Sequence, residues 1–396
     1  MPLTRLSEAT CRDELENNLL PFWMIEMADI QHGGLLSRMS ASGTPLSGEK
    51  FVAMHAAVLY IFSASSYRLG GDAKSIFATQ LYEYLVGHCW DEEFSGVHWS
   101  LDKLGNPKCK DKDLKAQALA LLGFCSYFRM SEDSQALLLA KETYDLIENK
   151  YCNSYLGTYA ERFDQTWTFM DPPSSYPKMA SKAEVALLCA YVALYKLWPD
   201  SKLRLRILQL CHNIIQHIHP QGKPSNTYVN GFGHLEYHSS ALGHDAEASW
   251  LLYEAASTLQ NTELLTLSEH LSGETAHLII NAQDSTGGIS DLPPATGERC
   301  PLKSSWTQAH GMIALVNHWI ITGDDYYRHR AEKVWEFIQT YLRDEAAGGW
   351  YAAATQSPGK MTCDQDRVGN ENFGHQSALA MLELLDRFAI AHTQAK

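Results

Sequence analysis

A glycine-containing segment recurs along this chain at an almost constant interval. Successive segments are centred on glycines that lie 62, 61, 65, 66 and 61 residues apart. Most of the segments alternate apolar and polar residues over a few positions, which is typical of a short, half-exposed hairpin. A period of this length indicates a repeated supersecondary unit. The six glycines are Gly34, Gly96, Gly157, Gly222, Gly288 and Gly349.

The intervals between these segments hold pairs of helical patterns. The first helix of each pair is apolar on nearly all faces, as in AQALALLGFCSYF, and the second is amphipathic, as in TELLTLSEHLSGETAHL. A helix that is apolar all round is buried, whereas a helix with one apolar face covers the outside. The predicted pairs are 51–69 with 72–89, 112–129 with 133–149, 181–197 with 201–217, 244–259 with 262–280 and 304–322 with 324–342, and single helices at 6–27 and 372–391 open and close the chain.

Six inner and six outer helices in alternation predict an all-α (α/α)6 barrel of twelve helices. The short β-hairpins all connect an outer helix to the next inner helix, so we expect them at one end of the barrel. The amino termini of the inner helices then face that same end. We therefore expect a single barrel domain over residues 1–396, with a pocket lined by the first turns of the inner helices.

Each inner helix carries an ionisable residue in its first turn. The most informative segment is GHDAEASWLL at residues 243–252, where His, Asp and Glu begin a buried helix. Burial of such groups is costly unless something polar meets them. Glu247 lies about one turn from His244, so its carboxylate can orient the imidazole. The first-turn residues are His55, Lys115, Lys182, His244, His310 and His375.

These residues have structural as well as functional interpretations. A single histidine at a helix start is more often a cap or a satisfied core residue. His244 and His375 together, on opposite sides of one pocket, favour a pair for proton transfer, to which the pKa of histidine is suited. Lys115 and Lys182 are candidates to hold an anionic group of a substrate. Ion pairing of these lysines with neighbouring carboxylates is the simpler alternative.

Several motifs, spread nearly from end to end, resemble those of one known family. They are LLPFW followed by HGG, FDxxW at residues 163–167, GHDAEASWLL, SWTQAH at residues 305–310 and FGHQ near the C-terminus. Together they resemble the N-acylglucosamine 2-epimerase superfamily, with its cellobiose 2-epimerases and mannose epimerases or isomerases. The resemblance implies that two histidines exchange the proton at C2 of an aldose, which inverts that centre or moves the carbonyl to C2.

The resemblance also assigns roles to residues of this chain. The two histidines of the family match His244 and His375, and Glu247 would orient His244. The remaining first-turn residues would contact the substrate, and two tryptophans near the pocket could stack on a sugar face. These candidate contacts are His55, Lys115, Trp167, Lys182, Trp306 and His310.

The chain departs from the family pattern around this pair. Ala57, in MHAAVLY, stands where the family usually has an arginine that contacts the sugar. In SWTQAH, Ser305 and His310 stand where the family motif WWxQAE has Trp and Glu. Lys115 and Lys182 likewise stand in place of polar residues on the second and third inner helices. The substrate is therefore expected to be a sugar or a sugar-like molecule, with an anionic one as an option.

We expect an isomerase that acts next to a carbonyl by two-histidine proton exchange. One alternative is a repurposed barrel that acts on a non-sugar substrate in a specialised biosynthetic pathway. Restoring Arg at Ala57 and Glu at His310 would test it, since new sugar turnover supports repurposing. Another alternative is a non-catalytic binding protein, which a pull-down with a stoichiometric partner and no proton exchange would favour.

Composition and charge limit the kinds of binding partner and the cellular location that we expect. Lys and Arg number 32 against 46 Asp and Glu, a formal net charge of −14, and no Lys/Arg run occurs. Such a chain is not expected to bind nucleic acid or an anionic membrane. Nine cysteines without CxxC pairs and a start without a signal-peptide core favour a cytoplasmic protein. We expect no metal and no cofactor, because neither HExxH nor clustered cysteine ligands occur, and a monomer or homodimer.

Overall fold

The computed structural model describes residues 5–40, 42–46, 48–153, 157–170, 182–217, 227–229, 235–237, 241–291, 301–357, 360–363, 368 and 374–394. The chain divides into two compact units. The N-terminal unit comprises Met27–Arg38 and Leu46–Gln216, and the C-terminal unit comprises Met1–Glu26, Met39–Pro45 and His217–Lys396. That the chain forms one catalytic domain stays a prediction.

The described residues form twelve α-helices, the number predicted. Their bounds differ from the predicted ones by at most four residues, apart from three places where π-helical turns continue an α-helix. These turns are Leu15–Leu19 and Phe22–Glu26 after α1, Leu85–Cys89 after α3 and Ile338–Leu342 after α11. The helices are α1 (Glu8–Glu14), α2 (Val52–Leu69), α3 (Asp72–Tyr84), α4 (Leu114–Ser131), α5 (Ser134–Lys150), α6 (Lys182–Leu197), α7 (Ser201–His217), α8 (Ala241–Leu259), α9 (Thr262–Ala282), α10 (Ser305–Thr322), α11 (Asp325–Phe337) and α12 (Gln376–Gln394).

The strands are short and lie between the helices. They are β1 (Arg38–Met39), β2 (Pro45–Leu46), β3 (Lys50–Phe51), β4 (Ser100–Leu101), β5 (Pro107–Cys109), β6 (Lys112–Asp113), β7 (Cys152–Asn153), β8 (Thr158–Tyr159), β9 (Arg162–Phe163), β10 (Thr227–Val229), β11 (Leu235–Tyr237), β12 (Leu302–Ser304), β13 (Ala353–Ser357) and β14 (Lys360–Thr362). Antiparallel sheets join β3-β4-β5, β6-β9, β7-β8, β10-β11 and β12-β13-β14.

The predicted glycine hairpins are tight turns closed by very few residue pairs. Ala28 pairs with Leu35 across the turn at Gly34, and Trp90 pairs with Val97 across the turn at Gly96. The segment at Gly222 lies outside the described residues.

Burial separates inner from outer helices within each unit. In the N-terminal unit, α2, α4 and α6 pack side by side, and α3 and α5 cover them. Thirteen of the 18 residues of α2 and thirteen of the 18 residues of α4 are buried, whereas α5 buries one face only. In the C-terminal unit α10 packs between α8 and α12, with α9 and α11 against α10 and α1 against α12. This is the alternation predicted from helix polarity. Within the described ranges, no helix combines the length and apolar character of a membrane-spanning segment.

A buried ion pair recurs before three of the inner helices. In each case a lysine two residues before the helix meets an aspartate that begins a glycine turn. The Nζ–Oδ2 distances are 2.9 Å for Lys50–Asp29, 2.8 Å for Lys112–Asp91 and 2.8 Å for Lys303–Asp284. Burial opposes ionisation of Asp91, but the hydrogen bond and charge of Lys112 and a backbone N–H outweigh it and lower its pKa to about 2. The ion pairs fix each turn to the start of an inner helix.

A second contact joins the same turns to the same helices. Five residues after each lysine, a helix side chain binds the backbone of the residue that follows the turn glycine. Gln117 Oε1 accepts from Val97 N at 2.8 Å, and Gln308 Oε1 accepts from Ile289 N at 2.7 Å. In α2 the equivalent side chain is His55, whose Nε2 accepts a hydrogen bond from Leu35 N. A Cβ on Gly34 would stand 2.7 Å from His55 Nε2, and its φ of +66° is one that glycine adopts freely, so the contact needs a glycine there.

Candidate active site

The first two turns of α8 carry the densest set of ionisable side chains at an inner helix start. His244 and Asp245 are buried, and Glu247 is half-buried. Gly243 lets α10 approach this helix start closely, because a Cβ there would stand only 2.5 Å from Trp306 Cδ1. The GHDAE segment thus brings three polar groups and one close helix contact together.

The Glu247 carboxylate lies between two imidazoles. Its Oε2 is 3.9 Å from Nδ1 of His244 and also 3.9 Å from Nε2 of His310. A carboxylate beside an imidazole stabilises the protonated ring and directs which nitrogen carries the proton. The predicted orientation of His244 by Glu247 fits this geometry, and His310 joins the same carboxylate.

Two tryptophans enclose the cluster. The ring of Trp306 lies edge-on to His244, with centroids 4.9 Å apart, and 5.5 Å from the ring of His310. The ring of Trp250 is nearly parallel to His310, and its Nε1 donates to His310 Nδ1 at 3.4 Å. These rings form an apolar wall beside groups that can transfer protons, which suits the faces of a sugar.

His375 belongs to the same unit and is also buried. It directly precedes α12, which packs against the helix that carries Trp306 and His310. The Nε2 atoms of His375 and Gln376 are 3.1 Å apart, so the amide of Gln376 donates to the ring. That His375 and His244 face one substrate from opposite sides stays a prediction.

The predicted contact of His55 with substrate stays a prediction, and in the structure its ring contacts the backbone. Its side chain is fully buried, Nδ1 lies 2.8 Å from the carbonyl oxygen of Phe51, and Nε2 accepts from Leu35 N at 2.8 Å. Burial lowers its pKa to about 4. Since both ring nitrogens are engaged by backbone, we leave His55 out of the proposed site.

The other predicted residues of the N-terminal unit have separate surroundings. Trp167 donates from Nε1 to the carbonyl oxygen of Phe94 at 2.9 Å and packs edge-on to Tyr151, which indicates a structural role. Lys115 is half-buried in the first turn of α4. Burial raises the pKa of the nearby Asp113, and the charge of Lys115 acts against that rise. This supports the ion-pair interpretation for Lys115. The side chain of Lys182 lies outside the described residues.

Three residues of the cluster were not assigned to the site from the sequence. Trp250 lies three residues after Glu247, so helical spacing places the two on one face of α8. Gly243 stands inside the first turn of a helix, where glycine is unfavourable without a packing reason. Gln376 follows His375 directly. These signals were present in the sequence, but it does not show that Trp250 and Gly243 contact α10.

No group of three or more His, Cys, Asp or Glu side chains able to hold a metal ion occurs in the described part of the chain. The His244–Glu247–His310 arrangement places two imidazoles beside one carboxylate, and such groups can act as general acids and bases.

Comparison with known proteins gives this arrangement a context. The profile of the N-acylglucosamine 2-epimerase family matches residues 33–375. A cellobiose 2-epimerase of Bacteroides fragilis is 27% identical over 380 residues, which cover 94% of this chain and 97% of that protein. A cellobiose 2-epimerase of Ruminococcus albus is 28% identical over 354 residues, 87% of this chain and 90% of that protein.

A solved structure is similar over almost the same length. The sugar epimerase from a ruminal bacterium superposes with a TM-score of 0.85 at 26% identity and covers 96% of this chain and 98% of that chain. The fold class is the all-α (α/α)6 barrel that the helix alternation predicted.

The chain belongs to the N-acylglucosamine 2-epimerase family. It is an enzyme of the isomerase class, an epimerase or isomerase with a small-molecule sugar substrate. The relatives reported above are all named as sugar epimerases. These names give no support to the two alternatives, a repurposed barrel and a non-catalytic binding protein.

Proposed function

We propose that this enzyme exchanges the proton at C2 of an aldose, with His244 and His375 as the two bases. One imidazole removes the C2 proton, which the adjacent carbonyl makes acidic, and an enediol forms. The other imidazole delivers a proton to the opposite face of C2, and the product is the C2 epimer. Proton return to C1 instead would give the ketose.

The observation that carries this proposal is the Glu247 carboxylate beside His244. Its Oε2 lies 3.9 Å from Nδ1 of that ring. A carboxylate on Nδ1 leaves Nε2 as the basic nitrogen and stabilises the imidazolium formed when the proton is taken. The side chain of His244 is only 7% exposed, so water competes little with a substrate for this nitrogen.

The substrate we propose is a reducing-end aldose, with cellobiose as the first to be tested. Two relatives that the chain matches over most of its length are cellobiose 2-epimerases. His310, and Ser305 at the first position of α10, stand where the related motif has other residues, so a changed sugar preference is part of the proposal. The panel must therefore include mannose, glucose, fructose, N-acetylglucosamine and a uronic acid beside cellobiose.

The test is proton NMR of the purified protein with each sugar in D2O. We expect deuterium to enter C2 and a new anomeric signal to appear, and the position of that signal distinguishes an epimer from a ketose. His244→Asn and His375→Asn should each abolish interconversion and leave the melting temperature almost unchanged. A folded wild-type protein that exchanges no C2 proton in any of the sugars contradicts the proposal.

A further inference from the structure

A line of contacts crosses the C-terminal unit from α12 to α10. The Arg387 guanidinium, paired with Glu383 at 2.8 Å, lies 4.8 Å from the centre of the Trp250 ring. From the edge of that ring, Nε1 donates to Nδ1 of His310 at 3.4 Å. The side chain of His310 is 1% exposed, so these contacts are made out of reach of bulk water.

The contact with Trp250 determines the protonation of His310. An indole N–H can only donate, so Nδ1 of His310 must accept and its proton must reside on Nε2. A doubly protonated ring would set an N–H against the indole N–H. The nearby charge of Arg387 adds to the cost of that form. His310 is therefore a neutral ring that carries its N–H on the side of Glu247.

The line continues from His310 to the proposed base. Nε2 of His310 and Nδ1 of His244 each lie 3.9 Å from the same oxygen, Oε2 of Glu247. This is an ion-pair distance rather than a hydrogen bond, and catalytic hydrogen bonds often tighten only when substrate binds. With an N–H on each of these nitrogens, a small approach of the rings would give one carboxylate oxygen two hydrogen-bond donors.

We infer that His310 is a positioning residue for His244. Its Nε2–H anchors the Glu247 carboxylate, which then accepts the Nδ1–H of His244 and leaves Nε2 of His244 as the base. The inference rests on the proposed function for the part that concerns turnover. The part that concerns tautomers stands on the contacts alone.

The inference has an electrostatic consequence. A neutral ring at position 310 adds no negative charge to that of Glu247 beside His244. A second carboxylate at that position would stabilise the His244 imidazolium further and raise the pKa at which the base is lost. The charged and titratable groups that these contacts join are His244, Glu247, His310, Glu383 and Arg387.

A measurement without substrate tests the tautomers. Long-range ¹H–¹⁵N spectra of protein labelled with [¹⁵N]histidine distinguish Nδ1–H, Nε2–H and charged rings, and His310→Gln and His244→Asn assign the two signals. We expect neutral Nε2–H for His310 and Nδ1–H for His244 between pH 6 and 8. Trp250→Phe keeps an aromatic ring at this position but removes the indole N–H donor. His310 should then populate both neutral tautomers. His310 as Nδ1–H or as a charged ring overturns the inference.

Kinetics with cellobiose, or with whichever panel sugar the wild type turns over, test the consequence. His310→Gln keeps an N–H donor and should stay within about fivefold of wild-type kcat, whereas His310→Phe should lower kcat by about 10²-fold with little change in KM. His310→Glu should raise the acid limb of the pH profile of kcat/KM by about one unit.

The results distinguish a failure of the proposed function from a failure of the role inferred for His310. If His244→Asn abolishes turnover while His310→Phe and the pH profile of His310→Glu match wild type, the inference is wrong and the proposed function stands. If His244→Asn keeps wild-type turnover, the proposed function fails, whatever tautomers the spectra show. Should His310→Phe fail to fold, Trp250→Phe replaces it, with a fall in kcat of about tenfold expected and an unchanged kcat contradicting the inference.

Discussion

His55 of the N-terminal unit and His244 of the C-terminal unit each lie in the first turn of an inner helix, and each is buried. The ring of His55 is bound on both nitrogens by backbone groups of Phe51 and Leu35. The ring of His244 instead meets a carboxylate, Glu247, and the edge of Trp306. The same residue type at the same place in the repeat thus holds a turn in one unit and, in the other, lies beside the carboxylate of the site that we propose for proton transfer.

The role of a buried histidine depends on the groups that its ring nitrogens contact. Backbone partners use up both ring nitrogens, and burial then disfavours the charged form, which lowers the pKa of His55 to about 4. A carboxylate partner favours the charged form and leaves the second nitrogen for chemistry. The following changes test this contrast, beginning with the largest expected effect.

The largest expected difference is between the enzymatic activities of variants at His244 and at His55. We expect His244→Asn to lower interconversion of the active sugar by at least about 10³-fold, because a general base is removed. His55→Gln should keep nearly all of the activity, because Gln117 and Gln308 make the same contact in the other repeats. Initial rates by NMR, with melting temperatures of both variants, check this. A folded but inactive His55→Gln variant would place His55 in the active site.

The buried ion pairs before the inner helices should contribute more to the free energy of unfolding than an exposed ion pair does. Lys112→Met leaves Asp91 as an uncompensated buried charge and should cost about 3–5 kcal/mol in urea unfolding. The matched control is Lys333→Met, which breaks an exposed pair with Glu336 and should cost less than about 1 kcal/mol. Equal losses from the two variants would mean that the buried pairs do not anchor the turns.

His55 should make stability depend on pH. Its pKa is about 4 when folded and about 6.5 when unfolded, so the unfolded chain takes up the proton first as the pH falls. Stability is therefore lost between about pH 6.5 and 4, by on the order of 3 kcal/mol from this residue. Urea unfolding at pH 7 and 4.5 should show a smaller loss for His55→Gln than for wild type. Identical losses would contradict the assigned role.

The smallest effect concerns the close contact of α8 with Trp306. Gly243→Ala should lower kcat/KM by about tenfold, because the added Cβ displaces the tryptophan beside His244. Gly87→Ala is the control, since a Cβ there meets nothing within 4 Å. The control should be neutral in activity and no less stable than wild type. A fully active Gly243→Ala would show that the position of Trp306 is not critical.

Much of the fold was predictable, because helix polarity and the glycine period are local signals. All twelve helices followed from the alternation of all-apolar and amphipathic segments. The turns were predicted at their glycines, but the buried Lys–Asp pairs were not, since each joins residues about 20 apart that carry no periodic signal.

The candidate site was predictable only in part. His244 and Glu247 share one helix, so their spacing indicated a contact. The contacts of His310 with Glu247 and Trp250 join different helices and required the structure. The contacts of His55 with the backbone of Phe51 and Leu35 also required the structure, because no side-chain pattern in the sequence indicates a backbone partner.

Proton exchange measured on each epimer separately shows whether two histidines act on opposite faces of C2. Cellobiose and its C2 epimer, which has mannose at the reducing end, are each incubated in D2O with His244→Asn and with His375→Asn. The account predicts complementary results, in which each variant still exchanges the C2 proton of one epimer and not of the other. Exchange of both epimers by either variant would contradict the two-base account.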